Sequence, residues 1–327
     1  MPELPEVETI VRGIRPLVTG RRILDAEFRT LDAAGSPPPA IRRILPDSAQ
    51  EFQNALRGAS IEQVRRYGKN ILFELRPAGG ERPPGFLLIH LGMTGRLTCE
   101  NTPEFRSEHT HLVLSLDEPG RWLHYTDIRQ FGRLRLLRPS AEELSRLGPD
   151  PLEISFPEFF RLLRARREMV KSLLLDQRFL RGLGNIYADE SLFQARIHPT
   201  ALASRLTREQ ARRLHRGIRE TLRQAIAFGG SSISNYVDAQ GRPGRFQRLH
   251  RVYRRTGQPC LRCGCGIQKI LVASRSTHFC PRCQRAGRRS SRRIEFARKE
   301  GRVKPNQSRD RKGAVSWPME SSRKKGA

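Results

Sequence analysis

Along residues 5–18 the apolar side chains Val7, Ile10, Val11, Ile14 and Leu17 recur three and four positions apart, as one face of a helix does. Pro5 and the acids Glu6 and Glu8 fall in the first turn of that predicted helix, where the fixed φ of proline and the helix dipole favour them. The period then changes. Short alternating or apolar runs at 23–28, 61–64, 71–75, 86–91, 111–116, 122–125 and 133–137 are separated by turn residues, which predicts a strand-rich sandwich or barrel. A Gly/Pro stretch at 33–39 reads as a surface loop. Beyond Gly148-Pro149-Asp150-Pro151 the pattern turns helical, over 156–167, 171–175, 188–194 and 208–228. Thr207, followed three residues later by Gln210, forms a capping box at the start of the last of these. A loop at 229–244 and a cysteine-rich segment at 259–283 complete the patterned part of the chain. No internal repeat is present.

Composition narrows the partners. The 327 residues suit about two domains with room for real cores. Lys and Arg number 61 against 33 Asp and Glu, a net charge of +28, and a field of that sign points to a polyanion, most commonly nucleic acid. A ribosomal or other non-catalytic RNA binder would satisfy the charge equally. Residues 284–327 hold 15 Lys/Arg against 4 Asp/Glu and little that is apolar, which predicts a disordered tail carrying +11 of the total. The remaining +17 belongs to the rest of the chain, so the basic character is more than a tail effect. With no apolar run of 18 residues and no apolar leader, the chain is expected neither to span a membrane nor to be secreted.

Five of the six cysteines crowd into one short segment, as in a metal site in a reducing compartment. Cys260-x-x-Cys263 and Cys280-x-x-Cys283, separated by 16 residues, have the spacing of a tetrahedral four-thiolate zinc site. No spare His or carboxylate offers an open position, so the zinc is expected to be structural. Cys265 breaks the two-residue symmetry and is left out of the set; Cys99 is expected to be a small buried apolar residue. Residues 270–279 between the pairs read as a β-hairpin with Arg275 at its turn, either gripping a phosphate or merely solvated.

The N-terminus carries the other candidate chemistry. If Met1 is removed, Pro2 becomes a secondary amine, and an α-amino group with a pKa of about 7.7–8.0 is partly nucleophilic near neutrality. Attack on an aldehyde or opened sugar gives an iminium, an electron sink. Glu3 could donate the proton that opens such a sugar. The competing interpretation is an ordinary helix start.

These features occur in one order: Pro2-Glu3-Leu4-Pro5-Glu6-Val7-Glu8, Gly68-Lys69-Asn70, His90-Leu91-Gly92-Met93-Thr94-Gly95, Tyr125-Thr126-Asp127-Ile128-Arg129-Gln130-Phe131-Gly132, Gly182-Leu183-Gly184-Asn185-Ile186-Tyr187-Ala188-Asp189-Glu190, and the four-cysteine hairpin. Over about residues 2–283 the chain resembles the formamidopyrimidine-DNA glycosylases, bifunctional base-excision repair enzymes. The resemblance implies an α+β fold: an N-terminal β-sandwich with a flanking helix (2–140), a helix-two-turns-helix domain with a lesion-capping loop (150–240) and a zinc finger (245–285), followed by the basic tail (286–327). It implies that Pro2 is the nucleophile, Glu3 the ring-opening acid, Lys69 the β-elimination residue and Arg275 the δ-elimination residue. His109, Arg129, Arg166 and Asn185 would hold DNA, with Arg166 where the family often has Lys. Met93, Arg129 and Phe131 would enter the duplex where the target nucleotide leaves, offsetting the few kcal/mol that extruding a base costs. Met93 or Phe131 alone would read as core. One structural zinc on Cys260, Cys263, Cys280 and Cys283, a monomeric state, duplex DNA with oxidised bases as partner, no membrane, and a bacterial cytoplasmic location on the nucleoid are likewise implied.

Departures from the family pattern are Asn70 beside Lys69, a longer 33–48 region, Cys265 and the tail. The sister branch, endonuclease VIII-like enzymes acting on oxidised pyrimidines, is disfavoured by Leu4 and by the Met93/Arg129/Phe131 set. A silent zinc-ribbon binder leaves Pro2, Glu3, Lys69 and Asn185 unexplained, and a zinc hydrolase lacks an open coordination position.

Overall fold

The computed structural model of the chain describes residues 1–28, 44, 49–79, 85–104, 107–137, 142–233 and 235–286. The predicted loop at 33–39 and the tail from 287 onward lie outside the described residues. The expected first helix forms as α1 (Leu4–Val18) and buries Val7, Ile10, Val11, Ile14 and Val18 on one face. Each such side chain contributes about 1.5–3 kcal/mol by leaving water.

That face caps a sandwich of two four-stranded antiparallel sheets. One sheet holds β1 (Ile23–Phe28), β6 (Thr110–Leu116), β7 (Trp122–Asp127) and β5 (Gly95–Glu100), in that order. The other runs β2 (Ser60–Tyr67), β3 (Asn70–Arg76), β4 (Gly85–His90), β8 (Arg133–Leu137). Inner residues of both sheets, among them Phe28, Val64, Phe73, Ile89, Leu97, Leu114 and Tyr125, share one core with α1. Strand β5 and helix α2 (Ala49–Leu56) are not legible in the pattern. Strand β5 offers only Leu97 and Cys99 as apolar residues, and α2 only Ala49, Phe52, Ala55 and Leu56, too few to show a period.

The second core is helical. After the single turn α3 (Glu142–Ser145) it gathers α4 (Phe156–Arg164), α5 (Val170–Leu175), α6 (Asn185–Ala195) and α7 (Arg208–Ala227). The predicted capping box opens α7, with Gln210 N–H donating to Thr207 Oγ1 at 3.2 Å and Thr207 N–H to Gln210 Oε1 at 2.8 Å. Helix α4 stops at Arg164, short of the expected 167, so Arg166 sits in the following loop. Helix α6 is buried nearly all round, from Ile186 to Phe193, because α7, α5 and the zinc-finger hairpin all pack on it. Leu4 belongs to this second core while Val7 and the residues after it belong to the first, so the N-terminus crosses the junction.

The hairpin pairs β9 (Gln268–Val272) with β10 (Arg275–Phe279). Ala273 and Ser274 take φ of 50° and 57°, the left-handed pair that a two-residue hairpin turn needs. Arg275 is therefore the first strand residue past the turn, paired with Val272, and its side chain is exposed.

Candidate functional site

Everything the N-terminus offers converges on the start of α6. The Leu4 amide donates to the Gly182 carbonyl at 3.0 Å, which docks Glu3 against the helix N-terminus. The buried Glu3 carboxylate there accepts N–H from Ile186 at 3.0 Å and Tyr187 at 3.4 Å, satisfying amides a helix start leaves unpaired and sitting at the positive end of the dipole. A side chain at Gly184 would forbid this arrangement: its Cβ would lie 2.3 Å from Glu3 Cδ. Pro2, next in the chain, is buried, and Met1 is half exposed.

Behind Glu3 lies a second buried carboxylate. Glu6 accepts N–H from Glu3 at 2.8 Å and from Ser231 at 2.7 Å, and the Tyr187 hydroxyl donates to it as well. Burial, with Glu3 nearby, pushes Glu6 up to about 7, against the pull of its three donors. The network continues from Tyr187 to Ser231 Oγ at 3.3 Å and from there to His250 Nε2 at 3.1 Å. Ser231 thus ties the start of the 229–244 loop to the N-terminal acids.

Lys69 stands at the tip of the β2–β3 hairpin, where Tyr67 pairs with Asn70 and only Gly68 and Lys69 form the loop. Burial lowers its proton affinity; Glu3 and Glu6 oppose that fall and Arg275 adds to it. The Met1 amino group is lowered by burial, with Glu3 and Glu6 again opposing and Lys69 and Arg129 adding. One small field therefore couples the N-terminus, Glu3, Glu6, Lys69, Arg129 and Arg275. Asn185, the first residue of α6, donates from Nδ2 to the Ser276 carbonyl at 2.8 Å and so brings the hairpin that carries Arg275 to the same helix end. The departure at Asn70 is local, its amide bonding the Tyr67 carbonyl at 3.1 Å across the turn.

Met93 and Phe131 are exposed, 41% and 50%, on two neighbouring loops of the sandwich, and the Arg129 guanidinium lies 4.8 Å over the Phe131 ring. Exposed apolar side chains beside a cation are not core. His109 joins this corner, its carbonyl accepting the Asp127 amide at 2.9 Å. Arg166 does not: its ionic neighbour is Glu168 at 3.9 Å, out in the loop after α4.

The four thiolates of Cys260, Cys263, Cys280 and Cys283 all lie within 4.8 Å of one another. The Cys260–Cys283 and Cys263–Cys280 sulfurs are 3.9 and 3.4 Å apart, close to the roughly 3.8 Å between ligands of a tetrahedral zinc with 2.3 Å bonds. Backbone N–H groups of Arg262 and Cys283 point at Sγ of Cys260 and Cys280, each at 3.4 Å, as fits charged thiolates. The set fits zinc. Cys265 is not part of it. Two consecutive buried carboxylates of α6 anchor this element. Asp189, ion-paired with the fully buried Lys171 at 2.6 Å, accepts the His278 amide at 2.9 Å; Glu190 accepts the amides of Arg251, Val252 and Tyr253.

Residues 1–134 match the formamidopyrimidine-DNA glycosylase N-terminal domain, 147–237 the formamidopyrimidine-DNA glycosylase H2TH domain, and 257–286 a zinc finger found in FPG and IleRS. The formamidopyrimidine-DNA glycosylase of Solibacter usitatus is 50% identical over 286 residues, covering 87% of this chain and all of the relative. That of Thermus thermophilus is 44% identical over 296 residues, covering 88% of this chain and all of its own. The chain belongs to the formamidopyrimidine-DNA glycosylase family.

Solved members of this DNA-repair family share the fold. The crystal structure of the MutM (Fpg) protein from Thermus thermophilus superposes with a TM-score of 0.72 at 42% identity over 88% of this chain and all of that one. A Lactococcus lactis FPG mutant in complex with DNA containing Fapy-dG gives 0.75 at 34% identity, over 87% of this chain and all of that one. A MutM complex with carbocyclic 8-oxo-G DNA gives 0.74 at 34% identity, over 87% of this chain and all of that one. Among the described residues no helix is long and apolar enough to cross a membrane.

The supports of the site in this family member leave little trace in the sequence. The helix pattern casts Glu6 only as a partner of its own dipole, although Glu3-x-x-Glu6 has the spacing at which a side chain reaches back to the preceding amide. Nothing local marks Ser231 or His250. Raised from the ordinary 4.5 to about 7, Glu6 favours its protonated form in the folded state, so its contribution to stability is full below about pH 4.5 and lost as pH rises through about 7. Glu6→Gln removes that titration. Wild-type stability relative to Glu6→Gln is expected to fall by on the order of 3 kcal/mol across this window, measured by urea unfolding at each pH. A gap constant with pH would take the titration away from Glu6.

Proposed function

We propose that this protein is a base-excision glycosylase and AP lyase that removes 8-oxoguanine and formamidopyrimidines from duplex DNA through a Schiff base on Pro2. The observation that carries the proposal is the Glu3 carboxylate, buried against the first amides of α6, one residue from Pro2 and within the field of Lys69. Relatives solved with Fapy-dG and 8-oxo-G DNA support the choice of damage.

Once Met1 is gone, the Pro2 nitrogen attacks C1′ of the damaged nucleotide, the N-glycosidic bond breaks, and the base leaves with its electron pair and takes up a proton. The proton that the Pro2 nitrogen sheds on attack passes to the Glu3 carboxylate, which delivers it to O4′; the sugar ring opens, and the nitrogen lone pair completes the iminium. The iminium acidifies C2′–H. Lys69, whose proton affinity is depressed, takes that proton, and the 3′-phosphate leaves. Arg275, on the zinc-held hairpin, assists loss of the 5′-phosphate in the second elimination and leaves a one-nucleotide gap. His109, Arg129, Arg166 and Asn185 hold phosphates or the orphaned base, while Met93 and Phe131 fill the space the nucleotide vacates. Residues 2–140 supply the nucleophile and wedge, 150–240 the helical DNA grip, and 245–285 the finger. One zinc on the four cysteines acts as scaffold and takes no part in bond breaking. A monomer working on the bacterial nucleoid in the cytoplasm completes the reading.

Borohydride trapping tests it. Zinc-loaded protein lacking Met1 should cross-link to a duplex with 8-oxoguanine opposite cytosine, at Pro2, in preference to one with dihydrouracil. Pro2→Gly should lose most of the cross-link and still bind the duplex. Preference for dihydrouracil would move the protein to the sister branch, and full trapping by Pro2→Gly would remove Pro2 from its role.

A further inference from the structure

Two exposed side chains on separate loops can act as one wedge only if something fixes the loops to each other. Asp127 is fully buried at the end of β7, directly before the Ile128–Arg129–Gln130–Phe131 excursion. Its Oδ1 accepts the Thr94 hydroxyl at 2.5 Å and the Arg129 amide at 3.3 Å. Its Oδ2 accepts the Gly132 amide at 2.8 Å and the Tyr125 hydroxyl at 3.4 Å. Thr94 Oγ1 in turn accepts the Arg129 amide at 3.0 Å. One carboxylate therefore gathers the residue after Met93, the amide of Arg129 and the amide that follows Phe131.

Packing leaves no slack around it. A Cβ on Gly132 would lie 1.7 Å from the Tyr125 hydroxyl, and Gln130, at the apex, is wound to φ 55°. The Asp127 main chain is held as well, its amide on the His109 carbonyl and its carbonyl 2.9 Å from His111 Nε2. Buried polar groups of this kind are costly unless paired, and here the pairing spans the two loops.

We propose that Thr94 and Asp127 form a lock that holds Met93, Arg129 and Phe131 in one register before DNA arrives, making both of them positioning residues for base extrusion. This rests on the reading of those three side chains as the ones that enter the duplex. With the wedge already ordered, none of the stacking energy it recovers is spent on arranging two loops.

Thr94→Val keeps the shape and deletes the hydroxyl; Thr94→Ser keeps the hydroxyl. On the zinc-loaded full chain, single-turnover excision of 8-oxoguanine is compared with strand cleavage at a preformed abasic site, which has no base to unstack. A 2-aminopurine beside the lesion reports extrusion. For Thr94→Val the ratio of excision to abasic cleavage should drop about tenfold and the fluorescence rise should slow in parallel, the scale expected when a reacting group is held slightly out of place. Thr94→Ser should restore both. An unchanged ratio in Thr94→Val, or a Thr94→Ser as impaired as Thr94→Val, overturns the lock. If Met93→Ala and Phe131→Ala themselves excise at the wild-type rate, the wedge reading fails instead; if they are slow while Thr94→Val is not, only the lock fails.

Discussion

Glu3→Gln is expected to cut excision of 8-oxoguanine by about 10²–10⁴-fold, the range a positioned general acid supplies, while the protein stays folded. The carboxylate is held from one side by the Ile186 and Tyr187 amides and is fixed by backbone that cannot yield, because Gly182 and Gly184 let the loop lie against Leu4 and Glu3. Gln retains an acceptor for Ile186 and loses the charge at the helix N-terminus, a change of about 0.3–1 kcal/mol that rises to about 2 when partly buried. Thermal unfolding should therefore move by only a few degrees. Glu3 also raises the proton affinity of Lys69, so its removal leaves a weaker base there. The Pro2 amine can still attack, yet the sugar has no acid to open it. Cleavage of a preformed abasic site, whose ring opens in solution, should suffer less than excision. Single-turnover rates on the two substrates check this, and excision within about tenfold of wild type would take ring opening away from Glu3.

The legible parts of this molecule are those whose cause is local. The α1 stripe of Val7, Ile10, Val11 and Ile14, the Thr207/Gln210 box and the paired cysteines all declare themselves within a few residues, and each forms where its pattern predicts. Helix α6 shows why periodicity fails when burial is complete. Its polar residues Asp189 and Glu190 are buried like its apolar ones, so no exposed polar face sets off a stripe, and the pattern marks its start at 188, whereas it begins at Asn185. Gly184 at the cap supplies no side-chain signal either. The supports of the site are invisible for another reason: they are meetings across the chain. Glu6 meets Ser231 over 225 positions, and Thr94 meets Asp127 over 33. Neither pairing has a spacing that could be read. Lys69 stands out only through the ordered motifs of the family and Arg275 only as a cation on the predicted hairpin until those motifs give it a role; their charges reach one another and Glu3 across the fold, a proximity no local rule could foretell. Arg166 remains apart, in the loop after α4 beside Glu168.

Cys280→Ser should lose zinc and tight DNA binding together. The finger has only a small core of its own, with Val252, Ile267 and the cysteines packed against Phe193, too little to offset the entropy of ordering it. Metal must supply the difference, and structural zinc binding to such peptides is worth about 10–16 kcal/mol at neutral pH. Cys280 is completely buried, its sulfur 3.4 Å from that of Cys263, so a serine there removes one of the four thiolates from inside the set. The sandwich and the helical core do not depend on it, each having its own buried cluster, and the bulk of the circular dichroism signal should survive. What is lost is position. Without the hairpin, Asn185 no longer has the Ser276 carbonyl and Asp189 no longer has the His278 amide, so Arg275 is not delivered to the end of α6. Affinity for a lesion duplex is expected to fall by about 100-fold or more, the share of several phosphate contacts given up at once, and chelation of the wild-type protein should reproduce the loss. A zinc-free variant that still binds the duplex within about threefold of wild type would mean that the sandwich and helical halves grip DNA unaided, and the finger would then have to be assigned a role in the second elimination alone.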